Sequence, residues 1–165
     1  MDRLPLQVSV PQITFLQGDF TESAMRDRLQ EDIVEKLDIP NTSETKVDIV
    51  LSDMMANTTG NSIRDAQASL DLCAVAFEFC QRMLRPMPKA EERTGARTMD
   101  SLLTSVFVCK YFMSEDANIF RKQVLEPNFL AVRAEKMDAS RSESREQYWV
   151  CLGYRGPTMN QAGYV

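Results

Sequence analysis

The sequence predicts an α/β fold with a mostly parallel sheet. Short runs of aliphatic, aromatic and β-branched residues alternate with segments in which apolar residues recur every three or four positions. This alternation is typical of βαβ units, in which a helix connects neighbouring parallel strands. With 165 residues, 44% of them apolar, the chain is long enough to form one domain around a buried core.

Five segments have the composition of strands and stop at polar or turn-forming residues. The second of them is almost entirely apolar, as expected of a strand that is covered on both faces. The predicted strands cover residues 13–16, 47–51, 102–109, 129–132 and 148–152.

Three segments are predicted to be helices. The clearest begins at Ile63, and its apolar positions step alternately by three and four residues as far as Leu84. A second helix is predicted from the apolar residues that recur every four positions between Met25 and Leu37, and a third covers residues 116–126.

Two further segments lack an apolar pattern. Residues 86–100 are rich in proline and in charged residues, so we expect an inserted loop there. We expect residues 157–165 to form a flexible tail, which leaves residues 1–156 as the folded domain.

The composition excludes several classes of site. The chain has no histidine, which rules out histidine-based catalytic triads and histidine-ligated metal. No apolar run is long enough to cross a membrane, and no secretory signal follows Met1. The four cysteines lie far apart within apolar runs, so we expect buried, reduced thiols and no metal: Cys73, Cys80, Cys109 and Cys151.

The net charge of −5 argues mildly against nucleic acid as a partner, because phosphate-binding surfaces are usually basic. Two basic clusters soften this objection, although a solvated charged face is the simpler interpretation of the first. The clusters comprise Arg82, Arg85, Lys89, Arg93 and Arg97, and then Arg133, Lys136, Arg141 and Arg145.

Three of the predicted strands end in charged residues: Asp19, Asp53 and Lys110. Ligands of open α/β sheets bind beside the carboxyl ends of the strands. A single aspartate there is more often a turn former, and a single lysine is usually solvated. Three such residues at one edge predict a cleft that carries both signs of charge.

Four motifs, in order along the chain, resemble those of the FtsJ/RrmJ-type ribosomal RNA 2′-O-methyltransferases. They are Phe15-Leu16-Gln17-Gly18-Asp19-Phe20, then Val50-Leu51-Ser52-Asp53-Met54, then Val108-Cys109-Lys110, and finally residues 140–148, which are similar to the family's SR-x-x-S-x-E-x-Y signature.

The resemblance implies roles for six residues. Asp53, Lys110 and Glu146 match three members of the family's Lys-Asp-Lys-Glu catalytic tetrad, and Tyr148 matches a supporting aromatic residue. On the cofactor side, the resemblance assigns Asp19 to the adenine amino group, Asp2 to the ribose hydroxyls and Asp53 to the sulfonium of S-adenosylmethionine.

These residue types suit the reaction. A ribose 2′-hydroxyl is a poor nucleophile that must lose its proton as it attacks a methyl group. A lysine can accept that proton if burial or a second cation favours its neutral form, and carboxylates can hold it in position. In-line alignment of the reacting atoms would supply most of the acceleration, and no metal is needed.

The sequence also departs from the family pattern. The first two strands, the glycine-rich cofactor loop and the first lysine of the tetrad would all precede Met1, so the resemblance implies an incomplete Rossmann-like fold. The strand predicted at 13–16 would then lack its neighbours, and we expect it to pack loosely. The family's Asp-Met-Ala-Pro-Asn motif reads Asp53-Met54-Met55-Ala56-Asn57 here.

The resemblance implies 2′-O-methylation of a uridine in large-subunit ribosomal RNA, with S-adenosylmethionine as cofactor and Lys110 as proton acceptor. The expected partner is the large ribosomal subunit, the expected state a monomer without membrane contact, and the expected location mitochondrial or otherwise cytoplasmic. One alternative is a non-catalytic protein that binds ribosomal RNA during ribosome assembly. Another is a generic nucleotide-binding α/β domain.

Overall fold

A computed structural model describes residues 1–8, 10–37, 45–88, 105–137 and 145–156 of the chain. The chain divides into two compact units, Met1–Thr45 and Lys46–Val165. Residues 89–104, 138–144 and 157–165 lie outside the described ranges, so the structure does not test the predictions made for them. They include most of the inserted loop, the first half of the SR-x-x-S signature and the tail.

The first unit is built around one helix, α1, which covers Ser23–Leu37. The strand predicted at 13–16 does not form, which corrects that prediction. Instead, the described part of this unit has a single parallel bridge between Asp2 and Gln17, with a hydrogen bond from the Gly18 N–H to the Asp2 carbonyl of 2.9 Å. A run of β-branched residues does not make a strand unless a neighbouring strand accepts its backbone hydrogen bonds.

The described residues of the second unit form a four-stranded sheet with helices, which confirms the α/β class. The strands run in the order β1-β2-β4-β3 across the sheet. In chain order the elements are β1 (Ile49–Ser52), α2 (Ser62–Met83), β2 (Val106–Phe112), α3 (Glu115–Phe120), a π-helical turn (Arg121–Leu125), α4 (Glu126–Asn128), β3 (Phe129–Glu135) and β4 (Glu146–Tyr154).

The last strand runs against the other three. Strands β1 and β2 pair in parallel, whereas β4 pairs antiparallel with both β2 and β3. Three of the four described strands run in the same direction, as expected of a mostly parallel sheet, and β4 is the exception. The antiparallel register places Glu146, at the start of β4, opposite Phe112, at the end of β2.

One face of the sheet carries the aromatic core, because alternate side chains of a strand point to opposite faces. The rings of Phe77, Phe107 and Phe129 lie within 6.3 Å of one another between their centroids. Nearby, the Tyr111 ring stacks on Trp149 with 3.8 Å between centroids and 9° between planes.

Helix α2 covers this face and runs opposite in direction to β2. The Ser69 hydroxyl accepts a hydrogen bond from the Phe112 N–H, and the Cys73 thiol donates to the Lys110 carbonyl. Ile63, six residues before Ser69, therefore projects roughly 9 Å beyond the end of β2 at 1.5 Å per residue. This explains why Ile63, predicted to belong to the buried stripe, is 79% exposed.

The four cysteines are buried and free, as the sequence predicted. Burial raises the pKa of Cys151 to about 12 and that of Cys80 and Cys109 well above the ordinary thiol range. These three thiols therefore stay protonated and unreactive near neutral pH. Among the described helices, none combines the length and the apolar character that crossing a membrane requires.

Replacing Phe107 with alanine is expected to lower the free energy of unfolding by about 3–5 kcal/mol, because the ring is fully buried in the aromatic core. Leu51→Ala is the matched control on the other face of the sheet, where the side chain is 71% exposed, and a change within about 0.5 kcal/mol is expected. Urea unfolding measures both, and equal losses would contradict the assignment of the core to the Phe107 face.

Candidate active site

The candidate site lies on the sheet face opposite the aromatic core, at the end of β2. Lys110 and Tyr148 are cross-strand partners in the antiparallel pair of β2 and β4. Asp53 directly follows β1, one residue after the pairing of Ser52 with Cys109, and so reaches the same level. Three strands thus deliver their side chains to one rim.

An ion pair forms the centre of the site. The Lys110 ammonium lies 2.7 Å from Asp53 Oδ1 and 3.9 Å from Glu146 Oε1. The Lys110 side chain is only 12% exposed, whereas that of Asp53 is 76% exposed. The carboxylates therefore hold the amine in a fixed, largely enclosed position while Asp53 faces outward.

Tyr148 completes the cluster. Its hydroxyl donates a 2.9 Å hydrogen bond to Asp53 Oδ1, the same oxygen that contacts Lys110. Burial raises the pKa of Tyr148 to about 12, and the Asp53 carboxylate adds to this rise. The phenol thus stays protonated and acts as a donor that fixes the orientation of Asp53.

The electrostatics of Asp53 follow from these contacts. Partial burial alone would raise the pKa of this carboxyl, but the hydrogen bonds from Lys110 and Tyr148 outweigh burial and lower the pKa below its ordinary value. Asp53 therefore remains an anion across the neutral range. The predicted convergence of an amine and two carboxylates at one rim is observed, and the catalytic roles stay predictions.

The loop that follows Asp53 is held by Asp65, which was not among the site residues predicted from the sequence. Asp65, in the first turn of α2, accepts hydrogen bonds from the Thr59 N–H, the Thr59 hydroxyl and the Gly60 N–H at 2.8–3.1 Å. Gly60 has a φ of +82°, which glycine adopts without strain. The signal in the sequence was the turn-forming Thr59-Gly60-Asn61 just before an acidic first turn.

The remaining two predicted site residues belong to the first unit. Asp2 and Asp19 lie close together there, because the Asp2 backbone is bridged to Gln17. Asp19 Oδ1 accepts hydrogen bonds from the backbone and the hydroxyl of Thr21, and these contacts lower the pKa of Asp19. Its other oxygen lies 3.4 Å from Arg3 Nε.

The fold agrees with that of a known protein. A crystal structure from Plasmodium falciparum, described as a ribosomal RNA methyltransferase, matches with a TM-score of 0.69 and 21% identity. The match covers 94% of this chain and 71% of that one. This likeness shows the fold, an α/β fold of the Rossmann-like kind.

The sequence model of the FtsJ-like methyltransferases matches residues 2–154. The chain belongs to this family, which confirms the resemblance that the motifs indicated. The match extends across both compact units and includes all six predicted site residues.

Bacterial relatives show the same family. The protein named ribosomal RNA large subunit methyltransferase E from Pseudomonas fluorescens is 32% identical over 148 residues, and its namesake from Acinetobacter baumannii is 36% identical over 152. The matches cover 90% and 92% of this chain but 58% and 57% of those proteins. The chain thus spans somewhat more than half the length of these relatives.

Tyr148→Phe is expected to raise the pKa of Asp53 toward its ordinary value, because the variant lacks a hydrogen bond to the ionised carboxylate. Carbon-detected NMR titration of the Asp53 carboxyl measures the change. Tyr111→Phe is the control, since Tyr111 lies on the other face and donates to Gln147. An Asp53 titration that is identical in the wild type and Tyr148→Phe would contradict the hydrogen bond between the two side chains.

Asp65→Ala is expected to accelerate amide hydrogen exchange at Thr59 and Gly60 roughly five- to tenfold, because both amides lose a charge-assisted acceptor. Asp71→Ala serves as the control, since Asp71 accepts from Gln67 on the exposed side of the same helix. Exchange rates that stay unchanged in Asp65→Ala would show that Asp65 does not hold this loop.

Proposed function

We propose that this protein transfers a methyl group from S-adenosylmethionine to a ribose 2′-hydroxyl of a uridine in large-subunit ribosomal RNA. The observation that carries the proposal is the cluster of Lys110, Asp53, Glu146 and Tyr148 at one rim of the sheet. Family membership and the names of the bacterial relatives support ribosomal RNA as the substrate.

The charge of the described site residues is complementary to that of the proposed cofactor. Both described contacts of Asp53 use Oδ1, and the side chain is 76% exposed, so the carboxylate can face a cation from solvent. When bound, S-adenosylmethionine supplies a methyl group on a positively charged sulfur. Asp53 would hold that end of the cofactor, and the roles that the family motifs assign to Asp19 and Asp2 stay predictions.

Lys110 is the proposed proton acceptor. In the proposed step, the Lys110 amine, once it has given its extra proton to solvent, would accept the proton of the ribose hydroxyl at Nζ, while the hydroxyl oxygen takes the methyl group that S-adenosylmethionine would supply. The low exposure of Lys110 keeps water from competing for that proton. Product release and loss of the proton to solvent then restore the site.

The other members of the cluster position Lys110. Asp53 and Glu146 approach the amine from β1 and β4, so its nitrogen cannot turn away from the rim. Tyr148 fixes Asp53 through the shared oxygen. Holding a catalytic group in place before the substrate arrives is a large part of what enzymes contribute to rate.

Lys110→Ala is expected to reduce methyl transfer by about 10²–10⁴-fold, the range typical of losing a general base. The measurement is incorporation of radioactive methyl from S-adenosylmethionine into a large-subunit ribosomal RNA transcript, with mapping of the modified ribose. Lys122→Gln is the matched control, because Lys122 is exposed on the π-helical turn.

Full activity in Lys110→Ala would overturn the role of Lys110. If the wild type transferred no methyl group, and calorimetry detected no binding of S-adenosylmethionine while RNA still bound, the protein would be an RNA-binding member of the family without catalysis. Modification of a base instead of a ribose would overturn the proposed chemistry.

A further inference from the structure

A cavity opens at the same rim of the sheet but on the opposite face from Lys110. Its volume is about 460 Å³, and its lining includes Tyr111 of β2 and Gln147 of β4. These residues alternate with Lys110 and with Glu146 and Tyr148 along their strands, so the two sites lie back to back.

The floor of this cavity is closely packed. The buried Tyr111 ring stacks on Trp149, and the Tyr111 hydroxyl donates a 2.7 Å hydrogen bond to Gln147 Oε1. Phe120 also stacks on Trp149, with 5.5 Å between the two ring centroids. A ligand in the cavity would therefore meet a preformed surface.

Two guanidinium groups line the cavity, together with a single carboxylate among the described lining residues, that of Glu115. Arg121 is anchored by an ion pair from its Nε to Glu126 at 3.0 Å and by a contact with the Val132 carbonyl. Arg145 is anchored by a hydrogen bond to the Met113 carbonyl. Each guanidinium has five N–H donors, more than these contacts use.

The size and the chemistry of the cavity favour a phosphate ester. Planar guanidinium groups match phosphate oxygens with paired hydrogen bonds. The side chains of Ser114, Asn118 and Gln147 add neutral hydrogen-bonding groups of the kind that contact sugars and bases. The volume lies within the range of ligand-binding clefts.

We infer that this cavity binds a phosphodiester of the RNA strand beside the nucleotide that enters the Lys110 site. The inference rests on the proposed function. Arg145 and Glu146 are consecutive residues at the rim, and the alternation of side chains along the chain directs them to opposite faces of the sheet. In this proposal a single strand crosses the rim, with a phosphate at the guanidinium groups on one face and a ribose at the amine on the other.

The test is the salt dependence of RNA binding, which does not require methyl transfer. Binding of a short single-stranded, uridine-rich RNA is measured by fluorescence anisotropy over a series of salt concentrations. In Arg121→Gln/Arg145→Gln, the slope of log affinity against log salt is expected to become shallower by roughly 0.7 for each phosphate that the variant no longer neutralises. The weakening should be similar for RNAs of different sequence.

Three controls accompany this experiment. Arg155→Gln removes one positive charge at the opposite end of β4. Its slope is expected to lie closer to that of the wild type than the slope of the double variant does. Arg145→Lys keeps the charge and should retain most of the slope. Thermal unfolding of each variant confirms that a change in binding is not a loss of fold.

An unchanged slope in the double variant, with RNA still bound, would overturn the inference and leave the proposed function intact. A second arm titrates inorganic phosphate and follows the Gln147 side-chain amide by NMR. Phosphate binding there without any change in the RNA slope would assign the cavity to a free phosphate compound and also overturn the inference. Failure of the wild type to bind RNA would also overturn the inference. In that case the proposed function would be decided separately, by comparing methyl transfer by the wild type and by Lys110→Ala.

Discussion

The antiparallel pairing of β4 with β2 is the constraint on which the candidate site depends. It sets the first residue of β4 beside the last residue of β2, so that Glu146 and Tyr148 arrive at the rim where β1 and β2 end. In a parallel arrangement, Glu146 would lie at the far end of the sheet, away from Lys110. The ion pair, the shared oxygen of Asp53 and the cavity behind them all follow from this one strand direction.

The two faces of the sheet differ in what they carry: most of the core packing lies on one face and the Lys110 cluster on the other. One face packs aromatic rings against α2 and supplies the stability that holds the strands in register. The other face presents Lys110 between two carboxylates. Helix α2 connects the two, because its first turn projects past the sheet and carries Asp65, which fixes the loop after Asp53.

Much of the sheet in the second unit could be predicted from residue patterns alone. The apolar run near residue 50, the long helical stripe and the strand before Lys110 all have local signals that the structure confirms. The motifs of the FtsJ-like family also indicated the residues that the structure brings together at the rim: Asp53, Lys110, Glu146 and Tyr148.

Other features depend on long-range pairing, which a local pattern does not encode. The residues at 13–16 have a strand composition but form no strand, since no neighbour in the described first unit pairs along them. No signal in the sequence indicated the direction of β4, because the composition of a strand does not depend on the direction in which it runs. The Arg121 and Arg145 cavity was missed because its residues come from separate elements. The mitochondrial location stays a prediction of the resemblance.

The four buried thiols make local opening of the core measurable by chemical labelling. Cys73 and Cys80 lie on α2, Cys109 on β2 and Cys151 on β4, and all four are buried and free. An alkylating reagent can reach them only when the helix lifts from the sheet or the strands separate. The labelling rate of each cysteine would therefore measure how often its own helix or strand opens in the layer beneath the Lys110 rim.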